Sequence, residues 1–202
     1  MKILDGITAD TPAWLLLGSG VLLEGFDPDA YEDPAGLRSA LRARTRTGEG
    51  VLGVTRAPAS FRVRPRLRRH PLAGQTFDSL EDLRLEGAEV SLKGELCEVR
   101  PENLIRLSGF CRAAERGAMR RLTLPMGAPC AAMPCLTWAG TLGGGLLLLR
   151  MDNAVNTEGL LITAAAARTG TLPFTFTAHT AAAEAEEAPF ALWLLPGEEA
   201  EA

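Results

Sequence analysis

Between Glu86 and Gly109 the hydrophobic pattern changes period at a proline, and that change limits what the chain can fold into. Val90, Leu92 and Leu96 alternate with Ser91, Lys93 and Glu95, the period of two that marks a strand with one buried face. Pro101 ends the alternation and suits a first helical turn, where its missing N–H is no loss, and Glu102 favours the positive end of the helix dipole. Leu104, Ile105 and Leu107 then form an apolar stripe, and Gly109 supplies the left-handed residue that stops a helix. A helix of two turns is far below the ~12 to 15 residues that hold together alone. It therefore has to lie on a sheet, and the preceding strand is the first member of that sheet.

Other segments extend the sheet. Ala13 to Leu17 and Val21 to Leu23 flank Gly18-Ser19-Gly20 and read as a tight hairpin. Val51 to Arg56 and Ser60 to Arg64 have strand character, with Pro58 and Pro65 favouring an edge or a strand end. Arg120 to Leu124 follows the helix, and Pro125 to Pro134 is a loop. Leu136 to Ala139 and Leu146 to Met151 pair across a Gly140 to Gly145 turn, and Gly159 to Thr163, Leu172 to His179 and Phe190 to Leu195 complete the set. Phe174 and Phe176 share one strand face. Short strands at this spacing, separated by turn residues and not alternating with helices, predict a mainly β fold. The expected form is an antiparallel sandwich or barrel with one short flanking helix at about residues 101–109 and long loops. The predicted core contains Val90, Leu92, Leu96, Leu104, Ile105, Leu107, Phe174 and Phe176.

At 202 residues and 47% apolar content, the chain suits one domain with excursions. Those excursions are an unpatterned N-terminal arm (1–12), long loops at 26–50 and 66–85, and an acidic C-terminal tail (197–202). In the first loop Leu37, Ala40 and Leu41 offer one weak helical face, and the reading is a solvated connection with a helical turn in it. Loops this long inside a compact domain are usually functional, so both are candidate contact surfaces.

Charge is unevenly spread. From Arg38 to Arg69 there are ten arginines against one acid, Glu49, whereas residues 184–202 carry six glutamates and no base. This pattern allows three readings: a solvated face, a phosphate-binding surface, and a basic stretch meeting an acidic surface of a neighbouring subunit. Phe61 and Tyr31 are the only aromatics near the stretch, too few for the stacking platform of single-strand binders.

No enzyme motif emerges, and no catalytic, cofactor-binding or metal residues are assigned. Gly143-Gly144-Gly145 lacks the lysine and hydroxyl of a phosphate loop, and strand residues follow it instead of a helix. Cys97, Cys111, Cys130 and Cys135 are spaced for neither a disulfide scaffold nor a zinc site, and His70 and His179 lie far apart. Reduced thiols in a cytosol, no cofactor and no membrane span are the expectations. The longest apolar run, near Leu146 to Leu149, is far short of the ~20 residues a bilayer requires.

Three segments carry a family resemblance. Gly53-Val54-Thr55-Arg56 before the strand Phe61-Arg62-Val63 is similar to a glycine and "TRGG" run, with Ala57 and Pro58 in place of the paired glycines. Residues 90–107 are similar to a strand ending in Glu followed by "T-x-E-N-L", with Glu98, Glu102, Asn103 and Leu104 at the matching positions. Residues 153–162 and 172–179 resemble the late strands and an "lp-x-tF-x-a" run. In this order and spacing, over about half the chain, the sequence resembles the tail tube (major tail) proteins of long-tailed bacteriophages and prophages.

The resemblance implies a single tail-tube-like β domain over 1–202, a virion protein made in the host bacterial cytoplasm. Its subunits would form stacked hexameric rings, a hollow conduit for DNA ejection without enzymatic activity. The implied partners are copies of itself and other tail proteins such as the tape measure and terminator, with DNA only in transit and no membrane. Arg38, Arg42, Arg44, Arg62, Arg64, Arg66 and Arg68 are the expected contacts between subunits. The alternatives are a nucleic-acid-binding β-barrel using residues 38–69 and a tail terminator or completion protein of the same fold.

Overall fold

The computed structural model describes residues 16–69, 80–98, 101–109, 111–117, 119–127, 130–165, 168–181 and 187–197. The N-terminal arm and most of the acidic tail lie outside them. Ten strands are described: β1 (Leu16–Glu24), β2 (Val51–Arg69), β3 (Leu83–Leu96), β4 (Arg112–Arg116), β5 (Met119–Thr123), β6 (Met133–Leu142), β7 (Gly145–Asn156), β8 (Thr163–Ala165), β9 (Arg168–Thr177) and β10 (Phe190–Pro196). Two α-helices accompany them, α1 (Pro34–Thr47) and α2 (Pro101–Ser108). The protein is mainly β, and every strand pairing is antiparallel.

The pairings β1–β2, β2–β3, β3–β9, β9–β7, β7–β6 and β6–β1 form a closed circuit of six strands, a barrel, with β10 and β8 attached outside it. β7 changes its partner at one residue. Over its first half β7 pairs with β10, from Gly145 to Met151, and at its end Val155 and Asn156 pair with β9. Between the two lies Asn153 at φ 45°, among the described residues the only non-glycine in the left-handed region, its side-chain amide donating to the His179 carbonyl at 3.1 Å. Asparagine tolerates that conformation better than most side chains, so β7 can change partners there.

Two apolar clusters fill the molecule. Leu22, Val90, Leu92, Leu96, Leu107, Trp138, Leu149, Met151, Leu172, Phe174 and Phe176 pack in the first, on the barrel's inner side. Leu104 packs against that cluster half-buried, and Ile105 is also half-buried. Leu23, Phe26, Leu37, Leu41, Ala139, Leu148 and Leu195 form the second, between α1 and the outer face of the sheet. Neighbours such as Leu22 and Leu23, or Leu148 and Leu149, serve opposite clusters, which accounts for the unbroken leucine run at 146–149. A strand covered on both faces has no polar side to alternate with.

Several expectations need correction. The 26–50 segment is not a solvated loop: α1 spans fourteen residues of it and is the longest helix described. Asp33 caps it by accepting from the Gly36 N–H at 2.6 Å, Pro34 opens the first turn, and Gly48 at φ 76° closes it. Leu37 and Leu41 are buried on its inner face. Hence among the described residues two α-helices accompany the barrel where one was expected. Gly18-Ser19-Gly20 is not a turn but lies within β1, where the register against β6 shifts. The two strands expected at 51–64 are a single nineteen-residue strand, with an irregularity between Arg56 and Ser60 at Pro58. Most of the 66–85 loop that can be described is strand as well, since β2 runs to Arg69 and β3 begins at Leu83. Residues 159–162 are irregular, and β8 starts only at Thr163.

Buried asparagines fix α2 to the barrel. Asn103 donates from its amide to the Leu52 carbonyl. Asn156 donates to the carbonyls of Leu107 (2.7 Å) and Gly159 (2.6 Å) and accepts from the Thr175 N–H at 3.0 Å. These side chains satisfy helix-end and strand-end groups that water cannot reach.

Candidate assembly surface

β1 pairs with β2 only over Val51–Val54, and β9 pairs with β3 only from Ser91 to Leu96. The remaining lengths, Arg62–Arg69 and Leu83–Glu89, pair among the described residues only with each other and leave the barrel as a two-stranded ribbon. Opposed residues share a face. One face therefore carries Val63 with Val90, Pro65 with Ala88, and Leu67 with Leu85, while the other carries Arg62, Arg64, Arg66, Arg68 and Arg84 with Glu89; Glu86, the extra residue where the register shifts, joins that face through its ion pair with Arg68. Beyond Val90 the apolar face is open, with Leu67 56% and Leu85 67% exposed. Isolated two-stranded ribbons are marginal in water, and this one presents a row of leucines on one side and guanidinium groups on the other. Pro65 is tolerated because among the described residues no further strand pairs with β2 there.

The seven arginines expected between subunits fall into two groups. Arg62, Arg64, Arg66 and Arg68 line the ribbon, and of these Arg68 pairs with Glu86 at 3.0 Å. Arg38, Arg42 and Arg44 sit on α1. Arg38 is only 6% exposed, so it offers a neighbour almost no surface; with Arg42, Leu41, Val21, Val54 and Leu146 it lines a groove of about 560 Å³ between α1 and the sheet. Arg44 meets Glu49 at 3.5 Å. The basic stretch of the sequence is thus no single basic surface.

Other features add to the exposed contact surface. β10 follows β7 at the sheet's edge, and its outward Leu192 and Leu194 are exposed, whereas Leu195 faces α1. Such an apolar edge is a template for pairing with another chain. Among the described residues β4 and β5 pair only with each other, and Met119, Leu124 and Met126 nearby are exposed.

An acidic corner, missed in the sequence, gathers residues from three segments. Arg150 on β7 is an ion-pair partner of Asp27 (2.8 Å), Asp29 (2.5 Å) and Asp152 (3.1 Å), and its guanidinium lies 5.5 Å from the centre of the Trp193 ring. Burial opposes its charge, but the hydrogen bond to Asp27 and the fields of Asp152, Asp27 and Asp29 outweigh that and raise its pKa. Asp29, Asp152 and Glu187 line the adjoining depression of about 470 Å³, with Phe190. Nothing in the spacing 27, 29, 150, 152, 187 announces this grouping, because the fold alone brings the segments together.

Among the described residues no group of three or more His, Cys, Asp or Glu is arranged to hold a metal ion, and no helix is long and apolar enough to cross a membrane. Cys135 lies beneath the Asp27 corner, and burial raises its pKa, with a smaller opposing effect from Thr137. No known protein-family model matches the chain, and no curated protein matches it significantly. Fold and surface together define the class: an antiparallel β-barrel with a projecting ribbon and, among the described residues, an unpaired edge strand that exposes leucines.

Proposed function

We propose that the protein is a structural, non-enzymatic subunit that associates with copies of itself into stacked hexameric rings, forming a tail tube through which phage DNA passes. The observation that carries this reading is the ribbon of β2 and β3. A subunit that functions alone gains nothing from exposing Leu67 and Leu85 on a two-stranded extension, whereas an assembling one covers them on its neighbour. The edge of β10, which pairs with no further strand among the described residues, supports the same reading, as does the resemblance of residues 53–56, 61–63, 90–107, 153–162 and 172–179 to tail tube proteins. In this reading the virion is the protein's destination, and tape measure and terminator proteins are further partners. A DNA conduit works best with a lumen that does not hold phosphate, so the arginines belong between subunits or outside.

Negative-stain electron microscopy of the purified protein tests the proposal. Tubes of stacked sixfold rings are the expected result; single rings favour a terminator-type protein, and isolated particles at all concentrations reject self-assembly. A second reading comes from the alignment of Arg62, Arg64, Arg66 and Arg68 on one ribbon face, since ribbons of this kind can enter a nucleic-acid groove. Under the tube reading, duplex DNA at ~0.15 M salt binds no better than weak non-specific association, ~10⁻⁴ M. Sub-micromolar binding by a monomer supports the second reading instead.

A further inference from the structure

Resting on the self-association proposed above, we propose that the arginine face of one subunit's ribbon docks on the acidic corner of a second copy, head to tail. The ribbon face carries five arginines and two glutamates, and among the described residues Arg62, Arg64 and Arg66 have no ion-pair partner. The corner carries Asp27, Asp29, Asp152 and Glu187 around the single guanidinium of Arg150, which leaves it net acidic. The two surfaces are complementary in sign. Arginines on alternate residues of a strand stand ~6.7 Å apart, a spacing that presents successive guanidinium groups to separate carboxylates along one line.

Within one subunit the two surfaces do not meet: among the described residues none of Arg62, Arg64 and Arg66 pairs with Asp27, Asp29, Asp152 or Glu187. Phe61, at the root of the ribbon, packs with its ring centre 5.6 Å from that of Phe190 in a tilted pair, both against the barrel's inner cluster. The ribbon's apolar face is therefore continuous with that cluster, and Arg62, Arg64 and Arg66 alternate onto the opposite face. A second copy can bring arginine face and acidic corner together. Because the two surfaces differ, the contact is heterologous, the kind that closes into a ring or continues as a stack. Its charges are largely exposed, so it sets partner orientation and salt sensitivity more than total affinity.

A charge-swap pair tests the contact. One variant carries Arg62→Glu, Arg64→Glu and Arg66→Glu; the other carries Asp29→Lys and Glu187→Lys, keeping Asp27 and Asp152 to hold Arg150. All five positions are exposed, and circular dichroism with thermal melting checks that each variant folds. By sedimentation, each variant alone is expected to associate about tenfold more weakly than the parent, and an equimolar mixture to recover association, because each then meets an opposite charge. Association of either folded variant at the parent level, no recovery on mixing, or a species no larger than a dimer would overturn the contact. Microscopy of the same samples separates this from the tube reading. Recovery on mixing without tubes keeps the contact and rejects the tube; tubes from each variant alone keep the tube and reject the contact.

Discussion

Gly20 and Gly140 flank the indole of Trp138, and a Cβ on either would overlap the ring. Both belong to strands, where glycine usually weakens the ladder, so their value lies in this close approach and not in turn formation. Thr55 completes the arrangement: its hydroxyl accepts from the Gly20 N–H at 3.0 Å and donates to the Gly20 carbonyl at 2.8 Å. Gly140→Ala is expected to cost ~1–3 kcal/mol by overpacking, measured by urea unfolding. Asn156→Ala removes the partners of the Leu107 and Gly159 carbonyls and the Thr175 N–H in a fully buried place, with an expected loss of ~2–4 kcal/mol in the same measurement. At Cys135 the thiol is raised by burial, so the fold favours its neutral form. Its contribution to stability is complete below the unfolded-state pKa of ~8.5 and is lost as pH rises above it. The Cys130 thiol is also raised by burial, so the contrast between the two lies in access: alkylation at neutral pH should be slower at half-buried Cys135 than at exposed Cys130, as mass spectrometry of a labelling time course would report.

Among the elements, the two helices show opposite degrees of legibility. The period change at Pro101 marks α2 because a strong strand pattern precedes it. In α1 the two leucines, Leu37 and Leu41, with Ala40 form one apolar stripe amid four arginines, and that stripe looks weak until the cluster of Leu23, Phe26, Ala139, Leu148 and Leu195 is there to receive it. The local stop and start signals, Asp33-Pro34 and Gly48, were present in the sequence and carried more information than the stripe. For the ribbon, replacing residues 65–88 with Asn-Gly would join Arg64 to its cross-strand partner Glu89 through a tight turn. None of the described residues among them takes part in the pairings that close the barrel, so the shortened subunit should melt within a few degrees of the parent while losing self-association, read by calorimetry and sedimentation.

At the scale of the whole molecule, the association should weaken as salt rises from ~0.05 to ~0.5 M, because the ribbon arginines and the corner carboxylates are exposed and screened. Light scattering across a salt titration measures it, and salt-independent assembly would place the binding energy in Leu67, Leu85, Leu192 and Leu194 alone. Strand identity was available from the chain itself, since alternation at 90–96 and at 172–178 is a local property and survives without knowledge of any neighbour. The β6–β7 pairing was equally legible, because its partners are close in sequence, but the turn is the two glycines 143–144 and not the whole Gly140 to Gly145 segment, whose other residues belong to the strands. The fate of Gly18-Ser19-Gly20 and of Pro58 was not: glycine and proline punctuate a chain when considered alone, yet within a ladder they can serve an approaching indole or a bulge. Only the tertiary structure decided that β7 turns at Asn153 from β10 to β9, that the arginine stretch divides between a half-covered helix and an open ribbon, and that five residues from distant segments make one acidic corner. Each of these depends on contacts between residues far apart in the chain, whose free energy exists only once the barrel has closed.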